Sequence, residues 1–186
     1  MLIKRMSIFV LLILIILTVA LIFVHSAMSP EVSKQESDAV GGVIEEIIEQ
    51  VAPNNETLRD FVKKNIRKIA HFAEFGLLGL ECAILGFIIL CGSKKKRISE
   101  FGSDVLSQKM TFCAALGVLK TLKTTAYSFI FGLLVAFADE SVQILSSRGP
   151  SVTDIWIDLA GFASAYIIFS VATTVVCAVK RARVMK

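Results

Sequence analysis

Four apolar runs leave this chain essentially one environment. Ile8–Val24, Ile69–Cys91, Thr124–Ser146 and Ile155–Val179 are each close to the ~20 residues that a helix needs to cross ~30 Å of hydrocarbon. The 186 residues are 55% hydrophobic and have a mean hydropathy of +0.72, too apolar for a soluble domain of this size. The expected fold class is all-α: a polytopic membrane protein built as a four-transmembrane-helix bundle, with amphipathic helices in the first outer loop.

Polar side chains interrupt three of these runs. His71, Glu74 and Glu81 fall in the second, Asp139, Glu140 and Gln143 in the third, and Asp154 and Asp158 at the start of the fourth. A charge at the bilayer centre costs ~2.5–3.5 kcal/mol on insertion scales, so such residues are seldom kept without a partner or a use. They are the candidate site.

The runs divide the chain into an N-terminal transmembrane anchor (1–25), an extracytoplasmic loop (26–68), a transmembrane core (69–179) with a basic cytoplasmic loop (92–123), and a basic tail (180–186). The first run follows Lys4 and Arg5 and precedes Val24-His25-Ser26, so it could also be a secretory signal. Its length exceeds a typical h-region of ~7–15 residues and favours an uncleaved anchor. Residues 25–37 read as a polar linker. Gly41–Val51 reads as an amphipathic helix, with Val43, Ile44, Ile47, Ile48 and Val51 as its apolar stripe and Pro53 after its end. Thr57-x-x-Asp60 resembles a capping box opening the next helix, and Ser151-x-x-Asp154 resembles one at the fourth span. Phe112–Leu122 suggests a further surface helix, and Trp156 sits where an aromatic belt residue belongs.

Orientation follows from the basic residues. The N-terminus, Lys94–Lys123 and the tail hold 13 of the 20 Lys and Arg, which places both termini in the cytoplasm. Lys63, Lys64, Arg67 and Lys68 are the exception, pressed against the outer end of the second span. Lys94, Lys95, Lys96 and Arg97 read as a topology signal with some attraction to anionic lipid, and no nucleic-acid partner is expected. The four cysteines, Cys82, Cys91, Cys113 and Cys177, have no zinc-type spacing and suit small packing residues.

Helix arithmetic brings the polar groups to one depth. At 1.5 Å per residue, His71 and Glu74 lie roughly 3 and 8 Å inside the second span, Gln143, Glu140 and Asp139 about 5–10 Å from the end of the third, and Asp158 about 5 Å into the fourth. All fall in the outer half of the membrane, with Glu81 deeper. His71, Glu74 and Glu81 share an arc of roughly 80°. Asp139 and Gln143 share a side with Gly132 and Ala136, and Asp154 and Asp158 share one with Gly161 and Ala165. Small residues at four-residue spacing mark close helix packing in membranes, so the polar stripes should point inward. Up to five acids would then surround His71, and crowded carboxylates cannot all ionise in a low dielectric. Arg148, in the Ser146–Pro150 turn, is a candidate fork for a phosphate or carboxylate ligand. The alternative is a hydrogen-bonded network that only fixes helix register, with Asp154 a cap and Glu81 a paired structural acid.

Two ordered blocks carry a resemblance. Lys68-x-x-His71-Phe72-x-Glu74-Phe75-Gly76-x-Leu78-Gly79 and Asp139-Glu140-x-x-Gln143-x-x-x-x-Arg148-x-x-Ser151-x-x-Asp154-x-x-x-Asp158-x-x-Gly161 resemble the two signature blocks of the VanZ-like family, and His25-Ser26 with Ser37 is similar to its first loop. Ser146-Ser147 stands where that pattern has Pro-Gly, and the basic loop is expanded. The resemblance implies a small integral membrane protein of bacterial, mainly Gram-positive, type. The family's founding member is linked to low-level resistance to the glycopeptide teicoplanin.

Three functions suit these residues. One is a non-enzymatic protein that binds, or alters access to, an envelope component such as a lipid-linked cell-wall precursor or a lipoglycopeptide. In that role His71, Glu74, Asp139 and Glu140 form the polar cluster, and Gln143, Arg148 and Asp158 contact the ligand. The second is an intramembrane hydrolase or transferase with His71 as general base, a neutral carboxyl as acid and Arg148 as phosphate anchor. The third is ion or proton movement, which needs a polar path onward, yet below Glu81 the spans offer only Ser, Thr and Cys. A His-plus-carboxylate metal site is a variant of the second reading, but no close ligand motif such as H-E-x-x-H appears, so no metal ligand is assigned and metal binding is left open. The partners expected are membrane lipids, while the cofactor and the oligomeric state are left open.

Overall fold

A computed structural model describes residues 2–52, 55–91, 103–145 and 151–184. Five helices follow in order: α1 (Leu2–Ala27), α2 (Pro30–Val51), α3 (Glu56–Cys91), α4 (Ser103–Leu145) and α5 (Val152–Val184). Four of them, all except α2, are long and apolar enough to cross a membrane, and the described residues contain no strand. The expected all-α membrane bundle is what the chain forms. Pro53, Lys94–Arg97, Arg148 with the rest of the 146–150 turn, and the side chains of Cys91 and Cys113 lie outside the described residues.

Helix limits differ from the sequence expectation where capping and continuity decide them. The 25–37 linker is helical from Pro30, because Ser29 caps α2: its hydroxyl accepts from the Val32 N–H and Pro30 supplies the favoured first residue. Glu31 in that first turn is held below the usual carboxylate range by its own backbone N–H and the Ser29 hydroxyl. Asn55, not Thr57, caps α3, its side-chain oxygen accepting from the Leu58 N–H at 3.0 Å. The separate surface helix expected at Phe112–Leu122 is instead part of α4, which runs unbroken for 43 residues, roughly 65 Å and about twice the hydrocarbon thickness.

Helix α3 is also longer than its span. Its first turns stand beyond the apolar run and pair with α2 through Arg59–Glu49 (3.2 Å) and Lys63–Glu45 (2.8 Å). Helix α2 buries Gly41 and Ile48. The adjoining stripe of Val40, Val43, Ile47 and Val51 remains exposed, the arrangement of a helix lying in a membrane interface. Trp156 is exposed on α5, as a belt residue should be.

The tightest packing joins α3 to α5, and glycine makes it possible. A Cβ built on Gly161 would collide with the Phe72 carbonyl, and one on Gly79 with the Phe162 carbonyl. Backbone therefore meets backbone, as in small-residue membrane helix pairs. On α4, Gly132 receives the Phe162 ring and Ala136 is fully buried, so the small-residue stripes do face inward. Phe129, Phe162 and Tyr166 make edge-on and stacked ring contacts at the centre. Helix α1 joins the bundle through Leu11, Ile15, Thr18, Ile22 and Ser26, one face at three- and four-residue spacing.

Candidate functional site

The helix ends that position the site are the last turns of α1 and α4, the first turns of α5 and the middle of α3. Asp139 and Gln143 sit one turn apart on α4, and both are fully buried. Gln143 Nε2 donates to Asp139 Oδ2 at 3.1 Å and to Glu140 Oε1 at 3.2 Å. Asp139 also accepts from the Ser26 hydroxyl. His71 reaches in from α3, its Nδ1 lying 3.4 Å from Asp158 Oδ1 and 3.8 Å from Asp139 Oδ2. Asp158, from α5, is fully buried and His71 nearly so. Arg67, one turn before His71, donates from Nη2 to Gln143 Oε1 at 2.5 Å. A carboxylate, an amide and a guanidinium are thereby linked in sequence.

Glu140 has a second task. Its Oε2 accepts the Ser151 backbone N–H at 2.8 Å, the donor that a capping box would satisfy from within its own helix. Asp154, expected in that role, is half-buried in the first turn of α5, where an acid complements the helix dipole. The cap of α5 is thus completed by α4, which ties the site to the start of the helix carrying Asp158.

Five expected residues, His71, Asp139, Glu140, Gln143 and Asp158, come together in this cluster. Glu74 lies alongside but is engaged by His25, whose Nδ1 is 2.5 Å from Glu74 Oε1. Glu81 is a separate, deeper contact, accepting from Thr18 at 3.0 Å. Three further participants were not among the expected site residues: His25 and Ser26 stood out only through the first-loop resemblance, and Arg67 only as one of four basic residues outside the second span. Ser26 continues the buried face of α1, His25 beside it is partly exposed, and Arg67 stands at i−4 to His71, a spacing that puts the two on one side of α3.

A cavity of about 130 Å³ adjoins the cluster, with His25, Ser33, Glu36, Arg67, His71 and Glu74 among its walls. A larger apolar crevice of about 460 Å³ between α1 and α3, walled by Ile3, Met6, Val10, Leu14, Ile84 and Ile88 with Ser7 as its polar side chain, whose hydroxyl donates to the Ile3 carbonyl, suits lipid chains. The polar cavity offers two imidazoles, a guanidinium and carboxylates, so it can bind an anion, move a proton, or hold a cation through His71 with Asp139 and Asp158.

Comparison with protein families gives a match over residues 9–173, most of the chain, to the family described as VanZ/LLP1. No curated protein and no solved structure matches.

Proposed function

Since the chain belongs to the VanZ/LLP1 family, we propose that it is a multi-pass protein of the bacterial cell membrane whose polar cluster binds, or alters access to, an envelope component and contributes to glycopeptide (teicoplanin) resistance. The observation that carries this reading is the convergence of four helices on a buried His–carboxylate cluster beside a charged cavity. Burying that many polar groups is costly unless they are paired or used. The distribution of Lys and Arg favours cytoplasmic termini, and with that orientation the cavity faces the outer leaflet. A lipid-linked cell-wall precursor or a lipoglycopeptide would meet it there. Arg67 supplies a cationic contact and His25 an imidazole for a phosphate or carboxylate, and Arg148 in the neighbouring sequence is a further candidate.

Expression of the unaltered chain in a susceptible host should raise the teicoplanin concentration needed for inhibition. His71→Ala and Glu74→Gln should abolish that protection at equal membrane levels measured by immunoblot. Full protection by both variants would leave the cluster with only a structural role. For orientation, Ser151→Cys should react with a membrane-impermeant maleimide on whole cells, and labelling only after lysis would place the cavity on the wrong side.

One geometry favours an enzyme as the second reading. His71 is flanked by Asp158 and Asp139, as a general base oriented by carboxylates would be. Release of product from a labelled lipid-linked precursor by purified protein would select hydrolysis or transfer over binding.

A further inference from the structure

We propose, resting on the reading of the cluster as a ligand site, that His71, Asp139 and Asp158 bind a first-row divalent metal ion, with zinc the best fit. Each of three helices supplies one donor, and one atom from each residue lies within 4.8 Å of the other two. Two ligands held ~2.1 Å from zinc at tetrahedral angles are about 3.4 Å apart. The His71 Nδ1 separations of 3.4 and 3.8 Å from the two carboxylates are close to that edge length and, at 3.8 Å, too long for a hydrogen bond.

A second observation is independent of the spacing. Both carboxylate oxygens of Asp158 are buried without a hydrogen-bond partner, and so is the Nδ1 of His71 that faces them. Asp158 is fully buried, and buried polar atoms of this kind are nearly always satisfied by a partner, a water or an ion. Asp139 differs: Ser26 and Gln143 donate to its two oxygens, as groups behind a metal ligand commonly do to hold it in place.

Charge points the same way. Two ionised carboxylates with a neutral imidazole carry, within the triad, a charge that one divalent cation cancels. One nitrogen and two oxygens suit zinc, manganese or ferrous iron better than the all-oxygen preference of magnesium or calcium. Three protein ligands leave a coordination position open. His71 also borders the cavity, so the ion would lie beside it. No local motif announces the site, since each helix contributes a single donor.

The full chain, purified in detergent through a histidine-free tag and stripped with chelator, is dialysed against zinc chloride and its metal content measured. About one zinc per chain is expected. His71→Ala and Asp158→Asn should weaken binding at least about tenfold, and Asp60→Asn, at an exposed acid of α3, should leave it unchanged. Absence of zinc and manganese binding by monodisperse unaltered protein, or binding untouched by either substitution, would overturn the proposal. Should a variant not purify intact, zinc X-ray absorption on the unaltered protein decides instead: nitrogen and oxygen ligands including one imidazole support the site, and sulfur ligands or no imidazole refute it. Metal content is measured apart from any drug phenotype. Zinc binding without teicoplanin protection would keep the metal site and remove the resistance role, and protection without zinc would do the reverse.

Discussion

Gly161→Ala should destabilise the protein by about 3 kcal/mol, the upper end of the range for overpacking a close-packed interior. The added methyl meets the Phe72 backbone carbonyl, which moves only if α3 moves with it. Separating α3 from α5 also carries His71 away from Asp158, so stability and the site should fail together. Gly41→Ala is the matched control, because a methyl added there would have nothing within 4 Å. In a helix interior that exchange should be neutral or stabilising by roughly 0.5–1 kcal/mol. Thermal unfolding of the detergent-solubilised variants checks both, and equal melting of Gly161→Ala and the unaltered chain would contradict the backbone contact.

Asp139→Ala should cost about 3 kcal/mol, in the range for removing one partner of a buried charged network. It removes the acceptor of the Ser26 hydroxyl and of one Gln143 amide contact, and a carboxylate facing His71. Asp139→Asn keeps an acceptor oxygen and should cost about half as much. Glu81→Gln preserves an acceptor for Thr18 and should stay within about 0.5 kcal/mol. Chemical unfolding in mixed micelles would rank the three. A Glu81 effect as large as that of Asp139 would mean that the deeper contact, not the cluster, organises the bundle.

Much of this was legible in the sequence because membranes simplify the code. Run length set the four crossings, and helical pitch alone put His71, Asp139 and Asp158 at one depth. Gly132, Ala136 and Gly161 marked the packing faces, since only small residues let membrane helices approach. What stayed hidden depended on interactions between helices or on continuity. The first run is apolar all round, so nothing in it marked the face that leads to Ser26, and His25-Ser26 stood out only by resemblance. Arg67 lay among four basic residues that stood out only as an exception to the orientation rule. The cap of α5 is supplied from α4 by Glu140, and no pattern within residues 151–154 can reveal a donor's distant partner. The surface helix expected at Phe112–Leu122 implied a break that α4 does not make, because a helix leaving the bilayer needs no change of backbone when its side chains turn charged.

Between Glu56 and Phe75, α3 contains neither glycine nor proline, and the same rod holds the α2 ion pairs at one end and His71 further along. It therefore behaves as a stiff lever: a push on the α2 hairpin from outside the bundle turns the imidazole directly, with no joint along the way to absorb the motion.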